Sequence, residues 1–433
     1  MSTLLPIWRS LLALAWPIML SRIGILVLML VDIRMIGTLG ATPLAAFALA
    51  NSVFLPVMVT GIGCMTGVIA VTAQRSGTND APGMAAAFRA GLIWASIVGL
   101  VAVALTWNTH HILRLVGQEE DLIAQARPIL HMLVPGALFQ VLFVTCAFWL
   151  EGTRRSAPAL IAMIAANLVN IAGNSLLIPT MGAEGGALAT TIARGVALAI
   201  MLGTVLTRPE MRARRDGPPA PLPLRPVIAI GAAGGVAYLF ETGAFAALNQ
   251  MAGLIGERAL AAYSIAHSLE ALIFMTALGL SVAAAVRTGE AFGRGDLKAT
   301  RTEIVAATSL TCLTIGLASL TLVLLSGPVS AFFAPDTSLA ARLVPLFVVL
   351  GISLIFDAAQ AVLGQCSRAM GESWQTTLRY FLGFWCVMIP MGYILGMRTD
   401  LDEMGLFVAT ALGCITTAGL LALRLRHLTR GAA

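Results

Sequence analysis

Long uninterrupted apolar segments are the feature that most constrains how this chain can fold. The stretches 90–105, 138–150 and 305–325 continue until glycine, proline or charged residues interrupt them. Runs of about 20 apolar residues can cross a roughly 30 Å hydrocarbon core as helices. The chain lacks the period-two alternation of a membrane barrel, and with only 11% charged residues it has too little polar surface for a soluble protein. The sequence therefore predicts an all-α membrane protein.

Twelve such segments can be placed along the chain as transmembrane helices. They are 11–36, 44–71, 84–107, 124–150, 156–178, 185–206, 226–252, 259–286, 302–326, 340–369, 374–396 and 404–424. An even number of spans puts both termini on one side of the membrane, and arginine is concentrated in the connections on that side. Since cytoplasmic loops carry the excess of Lys and Arg, we expect both termini to be cytoplasmic.

An internal repeat relates the two halves of the chain. A shift of about 216 positions superposes Gly37, Gly40, Gly63 and Asp80 on Gly253, Gly256, Gly279 and Asp296. Six helices per half is an even number, so the halves are expected to be related by a pseudo-two-fold axis along the membrane normal, as in many transporters. We predict an N-terminal six-helix lobe over 1–207, a cytoplasmic linker over 208–225 and a C-terminal six-helix lobe over 226–433.

Four carboxylates lie inside predicted spans, where ionisable groups are costly and often functional. They are Asp32 in the first span, Glu241 in the seventh, Glu270 in the eighth and Asp357 in the tenth. A carboxylate shielded from water can exchange a proton, or share Na⁺ with neighbouring oxygens. Either ion would neutralise such a site, and a cationic substrate would compete for it.

Each of these polar residues also has a structural explanation. An intramembrane carboxylate can pair with arginine for folding alone, and Arg22 and Arg194 are available partners in the first half. Asn170 and Asn174 lie one turn apart on one face of the fifth predicted span. They can join helices by hydrogen bonds or face a cavity.

Other classes of function lack their sequence signatures. The six cysteines are scattered singly in apolar segments, which fits neither a disulfide framework nor a zinc site. The net charge of +6 is dispersed between the spans and forms no basic, aromatic-interleaved face for nucleic acid. Because no Walker A sequence or catalytic motif is present, we expect no enzymatic activity, no catalytic residues and no resident cofactor.

Motifs along nearly the whole chain resemble the multidrug and toxic compound extrusion (MATE) family. The first two spans carry, in order, Trp16-Pro17, then Asp32-Ile33-Arg34-Met35-Ile36-Gly37-Thr38-Leu39-Gly40, then Leu44-Ala45-Ala46. The seventh and eighth carry Glu241, then Leu260-Ala261-Ala262-Tyr263, then Arg287-Thr288-Gly289 and Gly293-Arg294-Gly295-Asp296. The order and spacing of these pieces together are what make the resemblance specific.

The resemblance implies a secondary active exporter of small cationic amphipathic substrates, coupled to Na⁺ or H⁺ by alternating access. It further implies a monomer surrounded by lipid in a bacterial-type inner membrane. Glu241 and Asp357 are similar to the ion-coupling carboxylates of the NorM-type branch, and would be the metal ligands if the ion is Na⁺. Asp32 resembles the family's first-helix aspartate and is assigned to coupling as well.

Substrate-cavity roles are expected for three more residues. Asn170 and Asn174 resemble polar positions of the family's fifth helix, whereas Glu270 is added on its predicted burial alone. Ser353 stands where some NorM-type members have a tyrosine one turn before the tenth-helix aspartate, which weakens the case for Na⁺ bound in that manner.

Two other kinds of transporter stay open at this point. A lipid-linked oligosaccharide flippase of the same superfamily is expected to have a cationic cavity or extra helices, whereas the intramembrane residues here are rich in acids. A major-facilitator-type exporter shares the span count and the parallel repeat, although its central linker is usually longer.

Overall fold

The computed structural model describes residues 4–115, 117–212, 220–334 and 337–430, and within these ranges it contains helices and no strand. The helices are α1 (Leu4–Ile36), α2 (Ala41–Cys64), α3 (Thr66–Gly77), α4 (Ala81–Trp107), α5 (Thr109–Leu115), α6 (Glu120–Gly152), α7 (Ala157–Met181), α8 (Ala183–Leu206), α9 (Pro209–Arg212), α10 (Leu224–Ile255), α11 (Glu257–Gly293), α12 (Leu297–Leu324), α13 (Ser326–Phe333), α14 (Thr337–Ala369), α15 (Ser373–Tyr380), α16 (Ile389–Met397) and α17 (Asp402–Leu428). A 3₁₀ turn (Gly37–Leu39) follows α1, and a π-helical segment (Phe381–Met388) joins α15 to α16.

Twelve helical segments of the described ranges are long and apolar enough to cross a membrane, which confirms the predicted count. They are α1 with its 3₁₀ turn, α2 with α3, α4, α6, α7, α8, α10, α11, α12, α14, α15 with the π segment and α16, and α17. Most of them extend beyond the predicted apolar runs, because a helix satisfies its own backbone hydrogen bonds and can continue past the hydrocarbon until a cap or turn ends it.

The chain packs as two compact units whose boundaries fall inside helices. One unit is Leu20–Val236, and the other combines the residues up to Met19 with those from Ala237 onward. The start of α1 joins the latter unit through Trp8, whose indole N–H donates to the carbonyl of Ala306 at 3.0 Å. Relative to the predicted lobes 1–207 and 226–433, the units therefore exchange the first parts of α1 and α10. Residues 213–219 of the predicted linker 208–225 lie outside the described ranges.

Residues matched by the repeat have the same local role in each unit. Gly40 and Gly256 precede α2 and α11 with φ angles of 114° and 152°, a region that favours glycine because it has no Cβ. Asp80 and Asp296 cap α4 and α12, each accepting a hydrogen bond from the backbone N–H three residues on, at 2.9 and 2.8 Å. The glycine and aspartate matches thus recur because they start equivalent helices.

Small residues let helices approach closely within the unit Leu20–Val236. Gly67 of α3 lies against the start of α10, where a Cβ at position 67 would be 2.1 Å from the carbonyl oxygen of Val227. Lipid supplies little drive for helices to associate, so such close backbone contact is a main source of packing energy in a membrane protein.

We expect Gly67→Ala to lower the stability of the purified protein, because the new methyl group must displace backbone. Overpacking of this kind destabilises by about 1–3 kcal/mol. Gly203→Ala is the matched control, since a Cβ at Gly203 in α8 meets no atom within 4 Å. Thermal unfolding in detergent should give a lower midpoint for Gly67→Ala only; equal midpoints for the two variants would contradict the packing assignment.

Candidate functional site

Asp32 of α1 lies at the centre of a buried polar cluster in the unit Leu20–Val236. Its side chain is only 3% exposed. The Oδ1 atom accepts hydrogen bonds from the amide nitrogens of Asn170, at 3.0 Å, and Asn174, at 2.7 Å. The Oδ2 atom accepts from the hydroxyl of Thr190 at 2.5 Å. We call these four residues the Asp32 cluster.

Helical spacing explains how the sequence builds this cluster. Asn170 and Asn174 are one turn apart on α7, so both amides face α1 from the same side, and the Asn174 amide also donates to Asn170 Oδ1 at 3.3 Å. The connection to α8 is a single glycine, Gly182, with a φ of 63°. It turns the chain back along α7 and brings Thr190 to the carboxylate.

Arg194 supplies a positive charge beside the Asp32 cluster. It lies one turn after Thr190 on α8, interacts electrostatically with Asp32 and places its guanidinium 4.9 Å from the centre of the Phe54 ring. Within the described chain, no ion pair shorter than 4 Å joins Arg194 to Asp32. The other predicted partner, Arg22, pairs instead with Glu151, at 3.5 Å.

A second cluster forms around the carboxylates of Glu241 on α10 and Asp357 on α14. A single amide nitrogen, Nε2 of Gln360, donates to Glu241 Oε1 at 3.3 Å and to Asp357 Oδ1 at 3.0 Å. Asp357 is 3% exposed and Gln360 fully buried, and Cys414 Sγ donates to Asp357 at 3.6 Å. The two carboxylates predicted to act together are thus brought onto one donor.

Glu270 of α11 belongs to this second cluster and not to the group of Asn170 and Asn174, with which it was predicted. It is 2% exposed, and it interacts electrostatically with Asp357. Its Oε2 atom lies 3.0 Å from Nδ1 of His267, whereas its buried Oε1 atom has no hydrogen-bond partner. We call Glu241, Glu270, Asp357 and Gln360 the carboxylate cluster.

Sequence reasoning missed two residues of these clusters. Thr190 gives no hydropathy or charge signal, because threonine is ordinary in a transmembrane helix and usually bonds its own backbone. Gln360 could have been found, since it lies one turn after Asp357 on the same face. The prediction had placed Asp32 with Glu241 and Asp357; the structure places it with Asn170 and Asn174 in the other unit.

A small cavity adjoins Glu241. Its polar lining consists of Tyr238, Glu241, Ser281, Gln365, Arg368 and Tyr380. Its volume is about 20 Å³, which is room for one water molecule or one small polar group. Arg368, near the end of the predicted span 340–369, lies in the last turn of α14 and is only 3% exposed.

Comparison with known proteins identifies the family of this chain. The family model described as MatE matches residues 17–176 and 235–394. A probable multidrug resistance protein NorM from Bradyrhizobium diazoefficiens is 32% identical, over 97% of this chain and 93% of its own length. One from Caulobacter vibrioides is also 32% identical, over 97% and 91%. The multidrug resistance protein MdtK of Edwardsiella ictaluri is 26% identical, over 98% and 96%.

Solved structures share the fold. A crystal structure of MATE in the bent conformation has a TM-score of 0.89 with 20% identity, covering 98% of this chain and 96% of that one. The eukaryotic MATE transporter AtDTX14 has a TM-score of 0.88 with 18% identity, covering 99% and 98%. At these identities the likeness concerns the fold alone, and it confirms the predicted all-α architecture of twelve spans.

We expect Thr190→Val to destabilise the protein, because valine keeps the shape of threonine but leaves Asp32 Oδ2 without its buried donor. Loss of a hydrogen bond to a charged group typically amounts to about 1.5–3 kcal/mol. The matched control is Thr321→Val on the exposed surface of α12, where the hydroxyl donates only to the carbonyl of Leu317. Thermal unfolding should separate the two variants; an unchanged midpoint for Thr190→Val would rule out a structural role for this bond.

Proposed function

The chain belongs to the multidrug and toxic compound extrusion (MATE) family, and we propose that it is a secondary active antiporter that exports small cationic amphipathic molecules in exchange for Na⁺ or H⁺ by alternating access. The observation that carries the proposal is the sharing of one amide donor by Glu241 and Asp357. These two buried carboxylates share one amide nitrogen, and Arg368, which interacts with Glu241, balances at most one of their two negative charges. Such a site attracts a monovalent cation.

Competition for the same oxygens would produce exchange. A cationic substrate and the coupling ion both need the carboxylates of Glu241 and Asp357, so binding of one favours release of the other. Exchange of one monovalent ion for one monocationic substrate moves no net charge, so the concentration gradient of the ion drives it. The membrane potential adds about 2.3 kcal/mol per 100 mV only for each net positive charge that moves inward.

The Asp32 cluster is proposed as a second ion-sensitive site. Three neutral donors from Asn170, Asn174 and Thr190 hold the Asp32 carboxylate, and the Asn174 Oδ1 atom is buried without a hydrogen-bond partner. Protonation of Asp32, or entry of a cation, would require these donors to rearrange. The cluster would thereby couple occupancy to helix packing around α1.

We further propose that the protein works as a monomer in a bacterial cytoplasmic membrane, with both termini inside, without a resident cofactor and without enzymatic activity. The arginine-rich connections support that orientation. An oligosaccharide flippase is the weaker proposal, since the carboxylate cluster would repel a phosphate-linked substrate. A major-facilitator-type exporter is excluded by the family to which the chain belongs.

We expect Glu241→Gln and Asp357→Asn each to slow export by roughly 10-fold or more, because each removes a charge that both ion and substrate use. The assay is efflux of a fluorescent organic cation from proteoliposomes under an imposed Na⁺ or pH gradient, tested separately so that the coupling ion is identified.

The control for this experiment is Glu257→Gln, which removes an exposed carboxylate at the start of α11 and should leave the rate unchanged. Wild-type rates in both cluster variants would show that the coupling site lies elsewhere. Absence of gradient-driven efflux by the wild-type protein would refute the antiporter itself.

We expect Gln360→Leu to tighten ion binding while slowing turnover. Without the shared amide donor, the charges of Glu241 and Asp357 repel more strongly, so a cation that relieves the repulsion binds better. The ion concentration for half-maximal efflux should fall by about 3- to 10-fold. Gln375→Leu, at an exposed position of α15, is the control. An unchanged or higher half-maximal concentration would contradict the role assigned to Gln360.

A further inference from the structure

Arg368 is a buried cation that the proposed exchange does not use. It lies in the last turn of α14 with 3% of its surface exposed. Its guanidinium carbon is 5.1 Å from the centre of the Tyr380 ring and 5.8 Å from that of Tyr238. Cation–π contact with two rings fixes the position of the guanidinium, but aromatic rings do not neutralise its charge.

No carboxylate of the described chain forms an ion pair with Arg368 within 4 Å, and its buried Nε has no hydrogen-bond partner. Glu241 lines the same cavity and interacts with Arg368 electrostatically. A buried guanidinium with an unused donor is unfavourable. A ligand that placed an anionic oxygen in the cavity would accept a hydrogen bond from the guanidinium and offset the cost of burying its charge.

The cavity is therefore lined by one group of each charge. Glu241 offers a negative charge, Arg368 a positive one, and the side chains of Ser281 and Gln365 are polar but neutral. A volume of about 20 Å³ accommodates one small polar group, so the rest of a larger molecule must extend beyond it. Guanidinium groups bind carboxylates in a matched, often bidentate geometry.

We propose that this cavity binds the carboxylate of zwitterionic substrates through Arg368, while the cationic group of the same molecule takes the place of the coupling ion at Glu241. The inference rests on the proposed export function and names a substrate class for it. Without Arg368, a carboxylate near Glu241, Glu270 and Asp357 would meet only repulsion. A small free carboxylate such as acetate could bind Arg368 in the same way. The experiment must therefore distinguish a carboxylate that is part of the substrate from a separate carboxylate ion.

The test compares two dyes on one scaffold: a rhodamine with a free carboxylate, which is a zwitterion, and its ethyl ester, which is a cation. Efflux of each is measured from proteoliposomes containing the wild type or Arg368→Gln. We expect the wild type to export both dyes. The variant should lose export of the zwitterion by about 10-fold or more and export the ester within about 2-fold of wild type.

A second variant keeps Arg368 in place. Gln365 lies one turn earlier on α14 and lines the same cavity, so Gln365→Glu puts a carboxylate of similar shape beside the guanidinium. This internal anion should also block the zwitterion selectively. Arg294→Gln, at an exposed position after α11, is the control and should change neither dye.

Acetate separates the two sources of the carboxylate. If sodium acetate, compared with sodium chloride, raises the thermal midpoint of the purified wild type but not of Arg368→Gln, a free carboxylate is sufficient for binding. Stabilisation by the zwitterionic dye alone would assign the site to the substrate's own carboxylate. Both results support the inference.

Three results would overturn it. Equal loss of both dyes in Arg368→Gln would make Arg368 a structural residue only. Unchanged export of the zwitterion in Arg368→Gln and in Gln365→Glu would show that the cavity does not bind the substrate carboxylate. A wild type that exports the ester but not the zwitterion would refute the substrate class while leaving the exporter intact, whereas export of neither dye would refute the proposed function itself.

Discussion

The interior of a lipid bilayer offers no hydrogen-bond partners, and every other feature of this protein follows from that constraint. The backbone must satisfy itself, so each crossing is a helix and no strand occurs in the described ranges. Side chains obey the same rule. Asp32 can be buried to 3% exposure because three donors form hydrogen bonds with its carboxylate. Lipid provides no hydrophobic force that brings helices together, so close backbone contact at glycines such as Gly67 supplies packing energy instead.

Hydropathy and the repeat were sufficient to predict the fold, because both depend on residue type alone. It was harder to predict which residues contact each other across different helices. The sequence gives the periodicity of α7, and so the pairing of Asn170 with Asn174, but it contains no measure of which neighbouring helix faces them. The predicted tenth span, 340–369, already includes Arg368 and ends where α14 ends, but nothing in the sequence shows that this arginine is buried against Tyr238 and Tyr380.

The two units use one helical plan for different polar chemistry. In the unit Leu20–Val236, a single carboxylate, Asp32, has three neutral donors and a nearby arginine. In the other unit, three carboxylates share few donors, and Gln360 serves two of them with one nitrogen. Since the three carboxylates of the second arrangement outnumber the one arginine that interacts with Glu241, we propose cation exchange there, and we propose that Asp32 responds to protonation through its hydrogen bonds.

The first and fourth spans of each unit are joined by different groups. Near the end of α6, Glu151 pairs with Arg22 of α1 at 3.5 Å. The shift of 216 residues matches Arg22 with Tyr238 of α10 and Glu151 with Ser367 of α14. The donor to the Tyr238 hydroxyl is instead Gln365, two residues earlier on α14, at 3.3 Å. The first unit thus joins its first and fourth spans by an ion pair, and the second joins them by a hydrogen bond between Gln365 and Tyr238 and by the cation–π contact of Arg368 with Tyr238. No carboxylate of the described chain forms an ion pair with Arg368 within 4 Å, and Glu241 is the acid that interacts with it in the cavity that both line. The guanidinium therefore keeps donors for a substrate carboxylate, as proposed above.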